Sequence, residues 1–442
     1  MTDRNAPPGP ARAWLEATFA GIEDALARAE PVRSEHAGAP ADLGRGAEDA
    51  VTTRASDLIA LSHDLHANPE LVFEEHHAAA TIGRLLEQAG HEVARPAGGL
   101  DTAFTAEVGQ GRPRVAICAE YDALPDIGHA CGHNVIAATA VGAFLACAEV
   151  AGDLEGSVRL VGCPAEEGGG GKEHLARAGV FDDCDAAIMV HPFGADAVAH
   201  EWLGVRTVDV TYHGLAAHAA ALPFMGRNAL DAIVTAYQSI AQLRQHVLPG
   251  DRVHGIITDG GAKPNVVPER AAGFFYLRSR SVEGITALTQ RAGAIFEAAA
   301  EATDTRAETD WDVVPLYLPM RNNQTLAARY AQALAPRGRT VAPQGVLPAE
   351  LTGSTDMGNV SLRVPSIHPL LGIAPPTAVI HSPEFADWAR SERADAGVVD
   401  GAVGLARTAL DFLSDGDLRA SVQAEFEAAG GAVDVEELSA QT

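Results

Sequence analysis

The sequence predicts an α/β fold: a large, mixed but mainly parallel sheet domain into which a smaller ferredoxin-like α+β domain is inserted. Three observations predict it. Between residues 114 and 190, apolar segments of strand length alternate with segments of helix length, the order that makes a parallel sheet covered on both faces. From about Val205 the order becomes strand, helix, strand, strand, helix, strand, that of a ferredoxin-like sandwich. After about Leu316 helical patterns resume, so the chain is expected to return to its first domain. The expected spans are 1–50 (a helix and a connector), 51–205 (first part of the large domain), 206–315 (the insert) and 316–442 (second part of the large domain).

In chain order, residues 11–29 have the spacing of an amphipathic helix, followed by a Pro/Gly/Ala-rich stretch read as a loose connector. Leu58, Leu61 and Leu65 predict a helix starting at Arg54 and closed by the turn formers Asn68 and Pro69. A helix over 76–88 ends near Gly90, a capping residue. Then come a strand (114–119), an apolar helix (135–150), a strand (157–163), a helix (172–178) and a strand (186–190). The insert reads as strand 206–212, helix 228–246, strands 253–258 and 271–278, helix 282–301 and a strand near 308–314. Helices over 323–334 and 393–413 follow, with a Gly/Ser/Thr loop around 352–358 between them. The acidic tail from Ser414 is expected to be solvated or a short helix.

Composition narrows the function. The chain is 47% apolar and 21% charged, which is globular rather than disordered. A formal net charge of −27 argues against a nucleic-acid partner, which would need clustered Lys and Arg. No run of about 18 apolar residues suggests a membrane span, and the N-terminus lacks a signal-peptide pattern. Five cysteines, mostly within apolar runs, suit reduced core thiols and a cytoplasmic location.

The residues able to carry chemistry lie at the ends of the predicted strands, where parallel α/β sheets place their sites. Asp122 follows the first strand, Glu166 and Glu167 the second, and His191 ends the third. Cys131 and His133, separated by Gly132, precede the apolar helix, for which Asn134 is read as N-cap. A thiolate and an imidazole so spaced can face one cation, although CGH alone also fits a core cysteine beside a capping histidine. Adjacent carboxylates repel, so Glu166-Glu167 alone fits a solvated turn; beside a cation, one can ligate while the other takes a proton from water. The glycines after them, 168–171, are not a phosphate-binding loop, because Glu173 rather than Ser or Thr follows Lys172; they are read as leaving room for substrate. His191 and His381, each unremarkable alone, complete a set of S, N and O donors sufficient for two metal ions sharing a water.

The motifs AEYDALP, GHACGHN, CPAEEGGGG, GLAAHAA with NALDA, PNVVPERA, GSTDMGNVS and HSPEF occur in order over roughly residues 55–412. Together they resemble the amidohydrolase branch of the co-catalytic metallopeptidases, which includes carboxypeptidase G, aminoacylase and the auxin-conjugate hydrolases. Within that branch, EYDALP and CGHN are most similar to aminobenzoyl-glutamate hydrolases of the B type and to dipeptidases acting on basic C-terminal residues. The resemblance implies that Cys131, His133, Glu167, His191 and His381 are metal ligands, with Cys131 bridging, that Glu166 is the general base and that Asp122 orients a ligand. It further implies that His218 stabilises the oxyanion across a dimer interface, that Asn265 lies near the same site and that Arg278 meets a substrate carboxylate. One or two divalent ions per protomer are implied, zinc or manganese first and cobalt or nickel as alternatives, together with a homodimer formed through the insert. The expected reaction is hydrolysis of an amide in an N-acyl amino acid, an aminobenzoyl-glutamate-like compound or a dipeptide. Glu120-Tyr121-Asp122 stands where many relatives have Asp-Met-Asp, and GHNVI where they have GHDGH, so substrates do not transfer from the wider branch. Two other readings remain: an amidase with Cys131 as nucleophile and His133 as base, and a non-catalytic binding protein of the same fold.

Overall fold

A computed structural model describes residues 9–150, 152 and 155–440. The chain divides into two units. The first runs to His200 and resumes over Arg321–Leu351 and Val360–Val433; the second comprises Glu201–Met320, Thr352–Asn359 and the segment from Asp434.

The first unit opens with helices α1 (Gly9–Arg28), α2 (Ala41–Ala67) and α3 (His76–Gln88), and continues through β1 (Val93–Ala94), β2 (Phe104–Gly109), β3 (Arg114–Glu120), α4 (His133–Glu149), β4 (Ser157–Cys163), α5 (Gly171–Arg177), β5 (Ala186–Ile188) and β6 (His191–Phe193). Helix α2 begins at Ala41 rather than at Arg54. The expected loose connector before it is instead pinned down. Asp415 and Asp411 accept the backbone N–H groups of Gly38 (2.9 Å) and Ala39 (2.8 Å), and Arg329 donates to the His36 carbonyl (2.6 Å). These partners lie hundreds of residues away, so nothing in the local Pro/Gly/Ala composition reveals them.

The second unit is β7 (Gly204–His213), α6 (Ala229–Leu243), β8 (Arg252–Asp259), β9 (Arg270–Ser279), α7 (Val282–Ala302) and β10 (Arg306–Trp311). Its sheet has the order β10-β7-β9-β8 with every neighbour antiparallel, the ferredoxin-like arrangement expected from the element order. Alternate residues of β7 and β9, among them Val208, Val210, Tyr212, Phe275 and Leu277, bury against Ile233, Ala236 and Ile240 of α6 and Leu288, Ala292 and Phe296 of α7. Both helices start on side-chain caps, Asn228 and Ser281.

The remainder comprises α8 (Gln324–Leu334), α9 (Met357–Ser361), β11 (Ser366–Ile367), β12 (Leu370–Gly372), α10 (Pro383–Trp388), α11 (Glu392–Ser414), α12 (Gly416–Ala428) and α13 (Val435–Ala440). The tail from Ser414 is therefore neither solvated nor one short helix: α12 buries Leu418, Val422 and Phe426. Their spacing of four residues was the available signal, in a stretch whose acidic residues Asp415, Asp417, Glu425 and Glu427 suggest a solvated tail.

The six-stranded sheet of the first unit has the order β1-β2-β4-β3-β5-β11. Strands β4, β3, β5 and β11 run parallel, while β2 is antiparallel to β4 and β1 to β2. Strands β6 and β12 form a separate parallel pair. Helix α4 is buried from His133 to Cys147, as its all-round apolar sequence requires. A Cβ on Gly142 would come within 2.7 Å of Leu58 and 2.9 Å of Ala402, so α2 and α11 close on α4 at that glycine. All five cysteines are free and buried. Among the described residues no helix is long and apolar enough to cross a membrane.

Candidate metal centre

The parallel strands place their carboxyl ends on one edge, and the loops that leave this edge carry the chemistry. Asp122 follows β3, Glu166 and Glu167 follow β4, and His191 begins β6 just after β5. Cys131 and His133 straddle the start of α4. Gly132 occupies the N-cap position with φ 81°, and a Cβ there would meet Pro192 at 2.9 Å, so glycine answers both to backbone conformation and to space. Asn134 is not the cap. Its amide donates to the Ser62 carbonyl (3.3 Å), to the Ser62 hydroxyl (2.9 Å) and to the Ala389 carbonyl (2.9 Å), locking α4 against neighbouring segments.

The predicted residues of the first unit converge. Donor atoms of Cys131, His133 and His191 lie within 4.8 Å of one another, as do those of Cys131, Glu167 and His381, and those of His133, Glu166 and Glu167. Cys131 is common to the first two groups. His191 is aimed by its own backbone: Nδ1 donates to the Pro192 carbonyl at 2.7 Å, leaving Nε2 at 3.4 Å from the Cys131 sulfur. Asp122 braces two donors at once, with Oδ1 2.9 Å from His133 Nδ1 and Oδ2 accepting the Glu167 N–H at 2.8 Å. With Nδ1 held by Asp122, Nε2 is the His133 nitrogen left to face a cation. That nitrogen is buried, makes no hydrogen bond, and lies 3.5 Å from Glu120 and 3.9 Å from both Glu166 and Glu167. His381, 49% exposed and at positive φ (61°), stands at the rim with Nε2 3.2 Å from Glu167.

The electrostatics of this pocket call for a cation. Burial opposes charge on His133, yet the charge of Asp122, with its hydrogen bond, holds the imidazole well above its usual range, so the site stabilises positive charge where a metal would sit. Burial pushes His191 down to about 4, which keeps it neutral and able to ligate. Burial also works against Glu167, but His381 and His133 hold its carboxyl below the usual range. An orphaned buried imidazole nitrogen amid thiol, imidazole and carboxylate donors fits one or two divalent ions.

Sequence reasoning missed three neighbours of this centre. Glu120, at the end of β3, forms a wholly buried ion pair with Lys172. His368, just after β11, stacks edge-on against His191 with ring centroids 5.4 Å apart. Glu75, at the start of α3, reaches the turn that carries Glu166. Glu120 stands within AEYDALP and His368 outside every motif, and the signal for both was position at the end of an apolar segment. Glu75 carried no such signal. The glycine run does not simply leave room for substrate, since a Cβ on Gly171 would fall 1.8 Å from the Pro164 carbonyl and one on Gly169 2.6 Å from Ala165. These glycines permit a tight turn.

His218, Asn265 and Arg278 belong to the second unit. His218 is exposed, and its Nδ1 accepts the N–H groups of Ala220 (3.3 Å) and Ala221 (3.2 Å), so Nε2 carries the proton and is available as a donor. The Asn265 carbonyl accepts the Ala219 N–H at 3.0 Å, bringing that residue beside the His218 loop. Arg278, on β9, donates to Ser354 at 2.7 Å and lies 5.6 Å from the centroid of the Tyr276 ring.

Residues 116–393 match the profile described as Peptidase family M20/M25/M40. The chain is 38% identical over 404 residues to the Xaa-Arg dipeptidase of Mus musculus, a match covering 87% of this chain and 92% of that protein. It is 30% identical over 468 residues to a p-aminobenzoyl-glutamate hydrolase chain of Escherichia coli strain K12, covering 87% and 95%. The aminobenzoyl-glutamate utilization protein of Klebsiella pneumoniae superposes with a TM-score of 0.66 at 21% identity, covering 83% of this chain and 98% of that one. A dinuclear metal-binding peptidase from Bacillus subtilis superposes with a TM-score of 0.59 at 23% identity, covering 80% and 98%. These two likenesses bear on the fold.

Proposed function

This chain belongs to Peptidase family M20/M25/M40 and is a metallo-hydrolase acting on C–N bonds, and from that premise we propose that it cleaves the amide of a small dipeptide whose C-terminal residue is basic. The observation that carries the reading is the convergence of Cys131, His133, Glu167, His191 and His381 around the orphaned His133 nitrogen, with Glu166 beside them. The higher identity to the Xaa-Arg dipeptidase than to the aminobenzoyl-glutamate hydrolase supports a dipeptide over the latter substrate or an N-acyl amino acid.

In this reading Cys131 is shared between two groups of donors, His133 and His191 on one side and Glu167 and His381 on the other. Divalent ions held by these residues, zinc or manganese before cobalt or nickel, would supply Lewis acidity toward the amide carbonyl and toward the attacking water. Glu166 takes a proton from that water as its oxygen bonds to the carbonyl carbon. It then passes the proton to the amide nitrogen as the C–N bond breaks. Asp122 keeps His133 in one tautomer and ties down Glu167. His218 donates a hydrogen bond from its Nε2–H to the oxygen that gains charge and keeps the proton, while Arg278, aided by Asn265, meets the substrate carboxylate.

A panel of Xaa-Arg and Xaa-Lys dipeptides, aminobenzoyl-glutamate and N-acyl amino acids tests this, with release of free amino acid measured before and after chelation. The expected result is release from the dipeptides that stops with chelator and returns with added metal. Release from aminobenzoyl-glutamate or the N-acyl amino acids alone would overturn the substrate; a metal-loaded protein inert on the whole panel would favour a binding role. The cysteine-nucleophile reading requires a rate indifferent to chelator and lost to thiol reagents. Burial, then the charge of Glu167, pushes the Cys131 thiol well above its usual range, the opposite of an activated nucleophile.

The second unit offers the surface for a second copy. Strand β8 is an edge of its sheet, and Ile256 on it is 62% exposed; a short 3-10 helix of the same unit exposes Phe224 (78%) and Met225 (59%). An open apolar edge is a liability unless it is covered, and antiparallel pairing of two β8 strands would cover it in an isologous dimer. Ile256→Asp is expected to give a monomer by sedimentation and to lower activity, since His218 would then lack a partner site. A dimer that survives, or a monomer with full activity, would overturn the arrangement. Mixing His218→Ala with Glu166→Gln protomers should restore roughly a quarter of the wild-type rate if His218 acts across the two-fold axis and pairing is random.

A further inference from the structure

Glu75 occupies the N-cap position of α3, yet its side chain does not cap the helix. That task falls to Glu70, whose two carboxylate oxygens accept the N–H groups of His77 (2.8 Å) and Ala78 (2.9 Å). Glu75 is wholly buried and turns the other way. Its Oε1 accepts the N–H groups of Phe73 (2.9 Å) and Ala165 (2.8 Å), and its Oε2 accepts the Thr102 hydroxyl (2.8 Å).

Ala165 is the residue before Glu166, and it sits at φ 60°, a left-handed conformation that costs an alanine free energy unless its surroundings hold it. Its carbonyl closes the turn by accepting from Gly169 (3.1 Å) and Gly171 (3.3 Å), while its N–H is held by Glu75. The neighbouring loop is braced from the same segment and from its partner Thr102: the Glu70 carbonyl accepts the Ala123 N–H at 2.8 Å, and the carbonyl of Thr102, whose hydroxyl bonds Glu75, accepts the Tyr121 hydroxyl at 2.6 Å. Residues 70–75 therefore hold both loops that carry Asp122, Glu166 and Glu167.

We propose that Glu75 is a positioning residue for hydrolysis: by holding the Ala165 N–H, its carboxylate fixes the strained turn that aims Glu166 at the reacting water. The inference rests on the reading of Glu166 as the base. A second observation separates it from simple helix capping. Burial, then the charge of Asp122, push Glu75 up to about 7 against the hydrogen bond from Thr102. Because the folded value is raised above 4.5, the stability linked to this group is fully present below pH 4.5 and is lost as pH rises through about 7. A carboxylate here thus costs stability at neutral pH, where a glutamine would offer Ala165 the same acceptor without the charge.

The test is a double-mutant cycle on the metal-loaded enzyme, reading kcat, KM, metal content and thermal midpoint. Glu75→Met keeps the volume and removes the acceptor; its kcat should fall about 10²-fold, as misplacement of a reacting group by about 1 Å can do, with KM and metal content unchanged. Glu75→Gln keeps the acceptor and should stay within about threefold of wild type while melting higher than wild type at pH 8. In a Glu166→Gln background, Glu75→Met should cost nothing further, because a residue that acts through Glu166 has nothing left to position. A Glu75→Met enzyme with normal kcat, a loss that appears as metal or KM, or full additivity with Glu166→Gln would each overturn the proposal. Should the Met variant not fold, a folded Glu75→Gln enzyme slowed by more than about tenfold would overturn it too. Normal turnover in Glu166→Gln alone would instead remove the base assignment on which the proposal stands, so the two failures are distinguishable.

Discussion

Glu166→Gln is expected to keep its fold and its metal and to lose about 10²–10⁴-fold in kcat, the usual share of a positioned general base. The substitution is isosteric, so packing around this residue, itself 6% exposed, is preserved. What the carboxamide cannot do is take a proton from water and return it to the leaving nitrogen. In the proposed reading the two adjacent glutamates divide the work, Glu167 ligating and Glu166 taking the proton. Glu167 is engaged on three sides, its N–H held by Asp122, its carboxylate 3.2 Å from His381 and grouped with Cys131. That is the environment of a ligand. Steady-state kinetics together with metal analysis on one preparation decide the matter: a Glu166→Gln enzyme within about tenfold of wild type would move the base to another group, whereas Glu167→Gln should lose metal along with rate.

Cys131→Ala should have the second-largest effect, on metal content first and on rate as a consequence. Its sulfur is the donor common to the group with His133 and His191 and the group with Glu167 and His381. Removing it should lower metal affinity by more than the roughly 10–100-fold typical of losing an outer partner of a ligand, and should weaken both positions together. His381→Ala, at the rim and belonging to one of those groups only, should leave one ion bound. Elemental analysis and chelator competition measure both variants. Retention of the full metal complement by Cys131→Ala would refute the shared-donor arrangement; loss of a single ion would confine Cys131 to one position. Since the bound ions stabilise the folded state by mass action, the thermal midpoint of the wild-type enzyme should also drop on chelation, and that of Cys131→Ala should drop less.

What the sequence by itself determined is what short-range physics controls. Strand and helix periods along 114–190 and 206–314 set the two kinds of sheet, because each period follows from backbone geometry within a few residues. The residues now gathered at Cys131, His133, Glu166, Glu167, His191 and His381 were legible because most of them flank apolar segments, and a parallel sheet brings such ends to one edge. Only the tertiary structure decided which buried polar groups pair across long separations. It placed Asn134 in contacts with Ser62 and Ala389 rather than at a cap, and held the stretch before α2 on Asp411, Asp415 and Arg329. It also set Glu75 against Ala165 and Lys172 against Glu120. Local pattern reports which face of an element must be buried. A buried polar group must find a partner as well, and that partner is chosen by packing among all the segments that reach it, information that no window of neighbouring residues contains.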